Sequence, residues 1–373
     1  MLIQLAITGL LVALLPLSFV TVSREPDKYR KLVWVTLFLT FDLIMFGAFT
    51  RLTDSGLGCP DWPGCYGQAN PLQAHIDIHA AQTAMPDGPV TLTKAWIEMI
   101  HRYLAMAVGI LITSLMLLAW RRWRRPVPGS STPVFSPWLP TGLFFFVCVQ
   151  GAFGALTVTM KLQPVIVTTH LLLGMGLLSL LAWLAARHAD QIPVGSKAAA
   201  LRAPAAIAMI LLVVQIALGG WVSTNYAPLA CADYPTCQGA WLPQMDFADG
   251  FALWRELGKT TNGEFLPFAA LTAIHWMHRN FALVVMLFAG WTAHAGLTVD
   301  GLKNTARWIL IVLAVQFATG LSTIFLKWPL LLAVAHNGGA ALLLLLLTML
   351  NYKTRSALGA GAHQPATSFS PSK

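Results

Sequence analysis

The sequence has 373 residues, of which 56% are hydrophobic and 10% are charged, and its formal net charge is +9. Soluble domains average about 25% charged residues, so this composition excludes an ordinary soluble protein and indicates a polytopic membrane protein. The basic residues recur in alternate loops, which explains the positive charge as membrane topology and argues against a nucleic-acid partner.

Nine apolar stretches are long enough to cross a bilayer as helices, which requires roughly 20 residues each. The basic segment between Arg24 and Lys31 follows the first stretch and places that end in the cytoplasm. The N-terminus and the long loops 54–95 and 225–265 are therefore predicted to be extracytoplasmic, and the C-terminus cytoplasmic. The predicted spans are residues 2–22, 33–53, 97–120, 137–158, 165–186, 204–224, 266–293, 308–326 and 330–351.

The chain contains an internal repeat. The loop CPDWPGCYG at residues 59–67 is echoed by CADYPTCQG at residues 231–239, and three further landmarks recur in the same order. Each copy holds four predicted spans, and an even number gives both copies the same orientation in the membrane. The predicted fold is therefore all-α, with two tandem four-helix bundles, 33–186 and 204–351, related by a pseudo-two-fold axis along the membrane normal.

Three segments lie outside the two bundles. Residues 1–32 are predicted to form an extra N-terminal transmembrane helix with a cytoplasmic loop, and residues 187–203 a cytoplasmic linker. Residues 352–373 are polar and are predicted to form a disordered cytoplasmic tail.

Four histidines occupy repeated positions near the extracytoplasmic ends of their spans. Two neutral imidazoles on different helices at one depth are the ligands that bis-histidine haem iron requires. The alternatives are hydrogen-bonded core histidines, or a zinc site, although no carboxylate or thiolate joins them at the usual spacing. The candidate iron ligands are His101 and His170 in the first copy and His278 and His336 in the second.

Cations accompany these histidines. Arg102 and Arg279 follow directly after two of them, and Lys161 and Lys327 lie in the two short outer turns. Cations at the membrane surface can pair with haem propionates. The alternative is that they snorkel to the interface without binding a ligand.

The two copies differ at one informative position. Glu98 lies one helical turn before His101, whereas its counterpart in the second copy is His275. A carboxylate in one copy alone suggests one reactive site and one that stores or relays electrons, with Glu98 moving protons. The alternative is a carboxylate that is favoured by the positive end of the helix dipole.

Four of the five cysteines form two closely spaced pairs in the extracytoplasmic loops. An oxidising compartment and short spacing predict the disulfides Cys59–Cys65 and Cys231–Cys237. These disulfides either staple the loops or exchange with a redox partner.

Four polar residues within the spans precede glycines by four or five positions. We interpret them as forming interhelical hydrogen bonds at close helix crossings. They are Asp42, Gln150, Gln215 and Gln316.

The motif GAFTRLTDSGLGCPDWPGC at residues 47–65, together with Glu98, Arg102 and the four histidines, resembles the haem A synthases. The resemblance covers roughly residues 33–351. It implies a membrane-bound, haem-dependent oxidoreductase that converts haem O to haem A by successive hydroxylations of the C8 methyl to a formyl group. The haem A is then supplied to cytochrome c oxidase.

The resemblance also implies roles for the site residues. His101 and His170 would bind the substrate haem O, with Glu98 in catalysis, and the loop cysteines would be paired. His278 and His336 would hold a resident haem b and its iron. Residues 1–32 depart from the family pattern, because they add a ninth span to a core of eight.

The implied setting is the inner (cytoplasmic) membrane of a bacterial-type cell. The expected partners are membrane lipid, the farnesyltransferase that makes haem O, assembly factors of cytochrome c oxidase and an unidentified electron donor, and a homo-oligomer is compatible with the sequence. Two rival functions are considered, of which the first explains the four histidines but not Glu98, and the second explains the repeats and the cations without chemistry. They are a dihaem b-type electron-transfer cytochrome and a haem carrier.

Overall fold

The computed structural model describes residues 1–125, 135–189 and 193–361. Regular structure in these ranges is helical, apart from three isolated β-bridges, which join Cys65 to Gln68, Cys237 to Ala240 and Lys259 to Phe265. A 3₁₀ helix at Ser196–Leu201 leads into the second half. The α-helices are α1 (Leu2–Val22), α2 (Lys28–Leu52), α3 (His75–Ala84), α4 (Leu92–Arg124), α5 (Trp138–Thr159), α6 (Pro164–His188), α7 (Arg202–Thr224), α8 (Phe247–Gly250), α9 (Phe268–Gly296), α10 (Lys303–Phe325) and α11 (Leu330–Gly361).

Eight of the described helices are long and apolar enough to cross a membrane, which makes this a multi-pass membrane protein. They correspond to eight of the nine predicted spans. At the remaining position, 266–293, the structure has the 29-residue helix α9, which is not among the eight. Its histidines and Arg279 lower its hydropathy, so α9 matches the prediction in length but not in apolar character.

The last helix is longer than predicted. The apolar pattern ends at residue 351, but α11 continues to Gly361. Residues 352–361 are therefore helical where the sequence predicts the start of a disordered tail. Residues 362–373, to which that prediction also applies, lie outside the described part of the chain.

Two short turns join helix pairs in the same way. Lys161 and Leu162 between α5 and α6 both have positive φ, at 50° and 58°, and Lys327 and Trp328 between α10 and α11 have φ of 54° and 65°. Two consecutive left-handed residues reverse the chain in a very short turn. The helices of each pair consequently lie side by side and antiparallel.

The eight repeat helices pack as two rings. In the first ring α2, α4, α5 and α6 each contact their two neighbours, and α7, α9, α10 and α11 do the same in the second. The rings meet through α2 with α11 and through α6 with α7 and α11. The largest buried cluster joins side chains of both rings, among them Leu111, Leu178, Ile309 and Leu347.

Helix α1 lies outside the first ring, against α4 and α2. A Cβ added at Gly9 would stand 3.0 Å from the Cβ of Met106, so the small residue permits a close approach of α1 to α4. Leu5 belongs to one buried cluster with Met99, Tyr103 and the first disulfide. The extra helix therefore supports both α4 and the first cysteine loop.

Candidate functional site

Each of the four repeated histidines lies against a glycine on the neighbouring helix of its ring. A Cβ added at any of these glycines would stand only 3.0 to 3.3 Å from the imidazole, so the absent side chain leaves the space into which the ring turns. The pairs are His101 with Gly47, His170 with Gly154, His278 with Gly219, and His336 with Gly320.

The structure brings together both predicted histidine pairs. His101 and His170 are near enough to interact electrostatically, although they come from α4 and α6. His278 and His336, from α9 and α11, interact in the same way. The two imidazoles of each ring therefore come from opposite helices and lie close to each other.

A cavity of about 180 Å³ lies inside the second ring. Its walls are mostly apolar, and His278, His336 and Arg279 are among its polar lining residues. Leu283 and Phe317 line it as well and are exposed on the outside of the molecule. The cavity therefore extends to the flank between α9 and α10, where an apolar ligand could enter from the lipid.

Glutamine side chains form hydrogen bonds to the backbones of three of the histidines. The Nε2 atoms of Gln150, Gln215 and Gln316 donate to the carbonyl oxygens of the neighbouring histidines, each at 3.1 Å. The predicted interhelical bonds are confirmed for these three residues.

The same prediction was wrong for Asp42, which is exposed on α2. Each glutamine precedes its glycine by four residues, whereas Asp42 precedes Gly47 by five. One extra residue turns a helical side chain by about 100°, away from the crossing.

Glu98 is buried and anchors the first cysteine loop. Its side chain is 4% exposed, its Oε2 accepts a hydrogen bond of 2.8 Å from the Cys59 N–H, and its Oε1 pairs with Nη2 of Arg102. His275 does the same in the second copy, because its Nδ1 lies 3.1 Å from the Cys231 N–H and accepts from it. The two residues therefore differ in chemistry but share one structural position.

The two arginines also bind the cysteine loops. Nη1 of Arg102 donates to the carbonyl oxygens of Asp61, at 3.0 Å, and of Gly64. Nη2 of Arg279 donates to the Thr236 carbonyl oxygen at 3.0 Å, while its Nη1 is buried without a hydrogen-bond partner in the described structure. Arg279 thus retains an unused donor at the cavity, which a carboxylate could satisfy.

The two candidate lysines lie on the surface of the molecule. Lys161 and Lys327 are both exposed in their turns. Their side chains are free to reach an anionic group at the membrane surface, as the sequence predicts, but they form no part of the cavity lining described above.

Both predicted disulfides are present, and their four cysteines are at most 2% exposed. Such burial favours the stapling interpretation over exchange with a redox partner. An aspartate closes each loop: Asp61 accepts from the Gly67 N–H at 2.7 Å, and Asp233 from the Gly239 N–H at 3.0 Å. Hydrogen bonds from Thr236, Gly239 and Gln238 lower the pKa of Asp233 to about 2.

Two residues that contact the histidines were missed by the sequence analysis. Oγ1 of Thr319 lies 2.9 Å from Nδ1 of His336, and the ring of Phe46 stacks on His101 with an interplanar angle of 11°. Both residues immediately precede the glycines that face these imidazoles. That adjacency is the signal in the sequence that could have identified them.

Comparisons with known proteins agree with this architecture. The family model COX15-CtaA, described as cytochrome oxidase assembly protein, matches residues 30–348. A heme A synthase from Shewanella oneidensis is 39% identical over 330 residues, which cover 86% of this chain and 96% of the relative. Those from Rhizorhabdus wittichii and Methylobacterium radiotolerans are 27% and 28% identical, over 85% and 94% of this chain and 91% and 95% of theirs. The chain therefore belongs to the COX15-CtaA family of cytochrome oxidase assembly proteins, the haem A synthases.

Proposed function

We propose that this chain is a membrane-bound oxidoreductase that converts haem O to haem A, oxidising the C8 methyl to a formyl group by successive hydroxylations. The observation that carries this proposal is the duplicated imidazole pair, one in each ring of helices, within a chain that is 39% identical to a heme A synthase over most of its length. The product would serve cytochrome c oxidase, in line with the family description.

The proposed membrane arrangement is two tandem four-helix bundles plus α1, nine spans in all, related by a pseudo-two-fold axis along the membrane normal. Two contacts support this axis. Nη2 of Arg51 donates to the Ser223 carbonyl at 2.6 Å, and the Tyr226 hydroxyl donates to Asp54 at 2.7 Å. Both pairs are 172 residues apart, which is the offset between the two cysteine loops. Repeat-equivalent residues can touch only close to the axis that relates the copies.

The second ring is the proposed site of a resident haem b. The cavity supplies apolar walls for a porphyrin, and His278 and His336 supply two imidazoles for its iron. The unpartnered Nη1 of Arg279 fits a propionate, with Lys327 nearby at the surface. The donor set of this ring therefore matches the chemistry of a bis-histidine haem.

The first ring is the proposed site of the substrate, haem O. His101 and His170 would hold its iron, and Arg102 and Lys161 lie on the side where its propionates would face the surface. In the described part of the chain, Nδ1 of His170 is buried without a hydrogen-bond partner, so no side chain fixes this imidazole through that atom. Such freedom suits a site that must release its product.

A bound iron porphyrin supplies the redox chemistry needed to oxidise an unactivated methyl group. The protein residues orient the substrate, exclude water and move protons. Glu98 is the proposed proton carrier, and its protonation would remove the charge that pairs with Arg102. Proton transfer at this carboxylate is therefore coupled to the contact that anchors the first cysteine loop.

The proposed cellular setting is the inner membrane of a bacterial-type cell, with the cysteine loops extracytoplasmic. A farnesyltransferase would supply haem O, and assembly factors of cytochrome c oxidase would receive haem A. Hydroxylation by dioxygen would also require an electron donor, which reduces the second oxygen atom to water.

Expression in cells that make haem O, followed by chromatography of the extracted pigments, tests this function. We expect haem A with the wild type, and its loss with His101→Ala and with His170→Ala. His294→Ala is the matched control, because His294 is exposed on α9 and should leave turnover unchanged. Unaltered haem O together with an intact b-type spectrum would favour an electron-transfer cytochrome, and haem O released unaltered without resident haem would favour a carrier.

A further inference from the structure

The imidazole of His336 has a hydrogen-bond partner at its Nδ1 atom. Thr319 Oγ1 lies 2.9 Å from its Nδ1. The threonine hydroxyl has a single proton, and the carbonyl oxygens of Val315, at 2.9 Å, and Gln316, at 3.2 Å, can only accept it. When the proton goes to one of these carbonyls, the hydroxyl oxygen accepts from Nδ1–H of His336. In this tautomer Nε2 keeps its lone pair.

The other imidazole of the second ring also has a polar neighbour at Nδ1. The side-chain amide nitrogen of Gln215 lies 3.1 Å from Nδ1 of His278, in addition to its bond to the backbone carbonyl of that residue. An amide nitrogen can only donate, so Nδ1 of His278 is the acceptor in this contact. Both imidazoles that line the cavity are thus restrained by side chains of the second ring.

The first ring lacks both of these side chains. Gln150, Gly154 and His170 correspond to Gln316, Gly320 and His336 at one offset of 166 residues, and this offset places Phe153 at the position of Thr319. Neither Phe153 nor Leu43, which occupies the position of Gln215 on α2, can form a hydrogen bond through its side chain. Consistent with this difference, Nδ1 of His170 is buried without a partner in the described structure.

We propose that Thr319 and Gln215 are positioning residues that make the second ring the haem-retaining site. They fix the orientation of the two imidazoles, Gln215 mainly through the backbone carbonyl of His278. At His336, a hydrogen bond from Nδ1 to Thr319 also raises the basicity of Nε2. The first ring, with Phe153 and Leu43 instead, binds its haem less tightly and can exchange it. This inference rests on the proposed function, in which the second ring holds the resident haem.

Loss of such a hydrogen bond typically lowers the affinity of a metal site 10- to 100-fold. The test is the rate at which purified full-length protein transfers its b-type haem to an excess of apomyoglobin. We expect Thr319→Val, which removes the hydroxyl and keeps the shape, to release haem at least about 10-fold faster than the wild type. Thr319→Ser should restore a rate within about twofold of the wild type, because it restores the hydrogen bond.

Two further variants complete the experiment. Gln215→Leu copies the residue of the first ring and should also release haem faster, which gives a second test if Thr319→Val fails to fold. Ser322→Ala is the matched control, because the Ser322 hydroxyl lies on the same helix and bonds only to the Ala318 carbonyl at 2.7 Å. This control should release haem at the wild-type rate.

A redox titration provides a readout that a purely structural role would not change. A less basic imidazole stabilises ferric iron less, so the midpoint potential of the b-type haem should rise in Thr319→Val and return in Thr319→Ser. Wild-type release rates and potentials in both Thr319→Val and Gln215→Leu would overturn the inference. Absence of b-type haem from the wild-type protein, or its persistence in His278→Ala, would instead contradict the proposed site assignment.

Discussion

At the scale of single residues, Glu98 has two roles to reconcile. The sequence predicts that a carboxylate inside a membrane helix needs a partner, and Arg102, four residues later, provides it. The second partner, the Cys59 N–H, lies 39 residues away in a loop whose path no helical periodicity predicts. The sequence therefore located the residue but could not show that it anchors the cysteine loop.

Substitution of Glu98 distinguishes proton transfer from loop anchoring. Glu98→Gln keeps an oxygen for the Cys59 N–H but cannot carry the proton, so we expect haem A formation to fall by about 100-fold or more. The thermal midpoint should also fall, because Arg102 loses its buried carboxylate partner. Glu98→His copies the arrangement of His275 and should likewise fold without turnover. Haem A formation in Glu98→Gln above half of the wild-type rate would remove Glu98 from the catalytic step.

At the scale of elements, the two cysteine loops were the most predictable part of the site. Their repeated motif and spacing predicted both disulfides, which the structure contains. What the motif could not predict is how the loops dock on the helices. That docking depends on Arg102 and Arg279, which also bind loop carbonyl oxygens, a contact that the sequence did not predict.

The second loop should weaken in acid. The pKa of Asp233 is about 2 in the folded loop and 3.8 ordinarily, so the carboxylate contributes stability above pH 3.8 that disappears as the pH falls through about 2. Reduction of Cys231–Cys237 by a phosphine reductant should therefore accelerate over this pH range. Asp233→Asn should show fast reduction already at pH 5 and little further rise, whereas a pH-independent rate in the wild type would contradict this account.

At the scale of the whole molecule, the repeat predicted two equivalent sets of four helices, and the contacts within the described residues form two rings. The sequence could not predict which outer faces are covered, because lipid-facing and helix-facing positions are both apolar. Helix α1 covers α4, whereas the corresponding face of α9 exposes Val284, Leu287 and Trp291 among the described residues. The two halves therefore differ most in which outer helix faces are covered by protein.

This asymmetry predicts a local role for α1. Gly9→Leu would force the new side chain against Met106 and displace α1 from α4, and overpacking of this kind destabilises by about 1–3 kcal/mol. We expect a lower thermal midpoint and a more accessible Cys59–Cys65 disulfide, with the b-type haem of the second ring retained. Gly109→Leu is the control, because a Cβ there meets nothing within 4 Å. Equal effects of the two substitutions would argue against close packing by α1.

The central claim is that each ring of helices binds one iron porphyrin between two histidines. The most direct test is the haem content and the reduced-minus-oxidised spectrum of purified wild-type, His278→Ala and His101→Ala proteins. The account predicts that His278→Ala loses the resident b-type signal, whereas His101→Ala keeps that signal and loses haem A formation. A full b-type signal in His278→Ala would contradict the account.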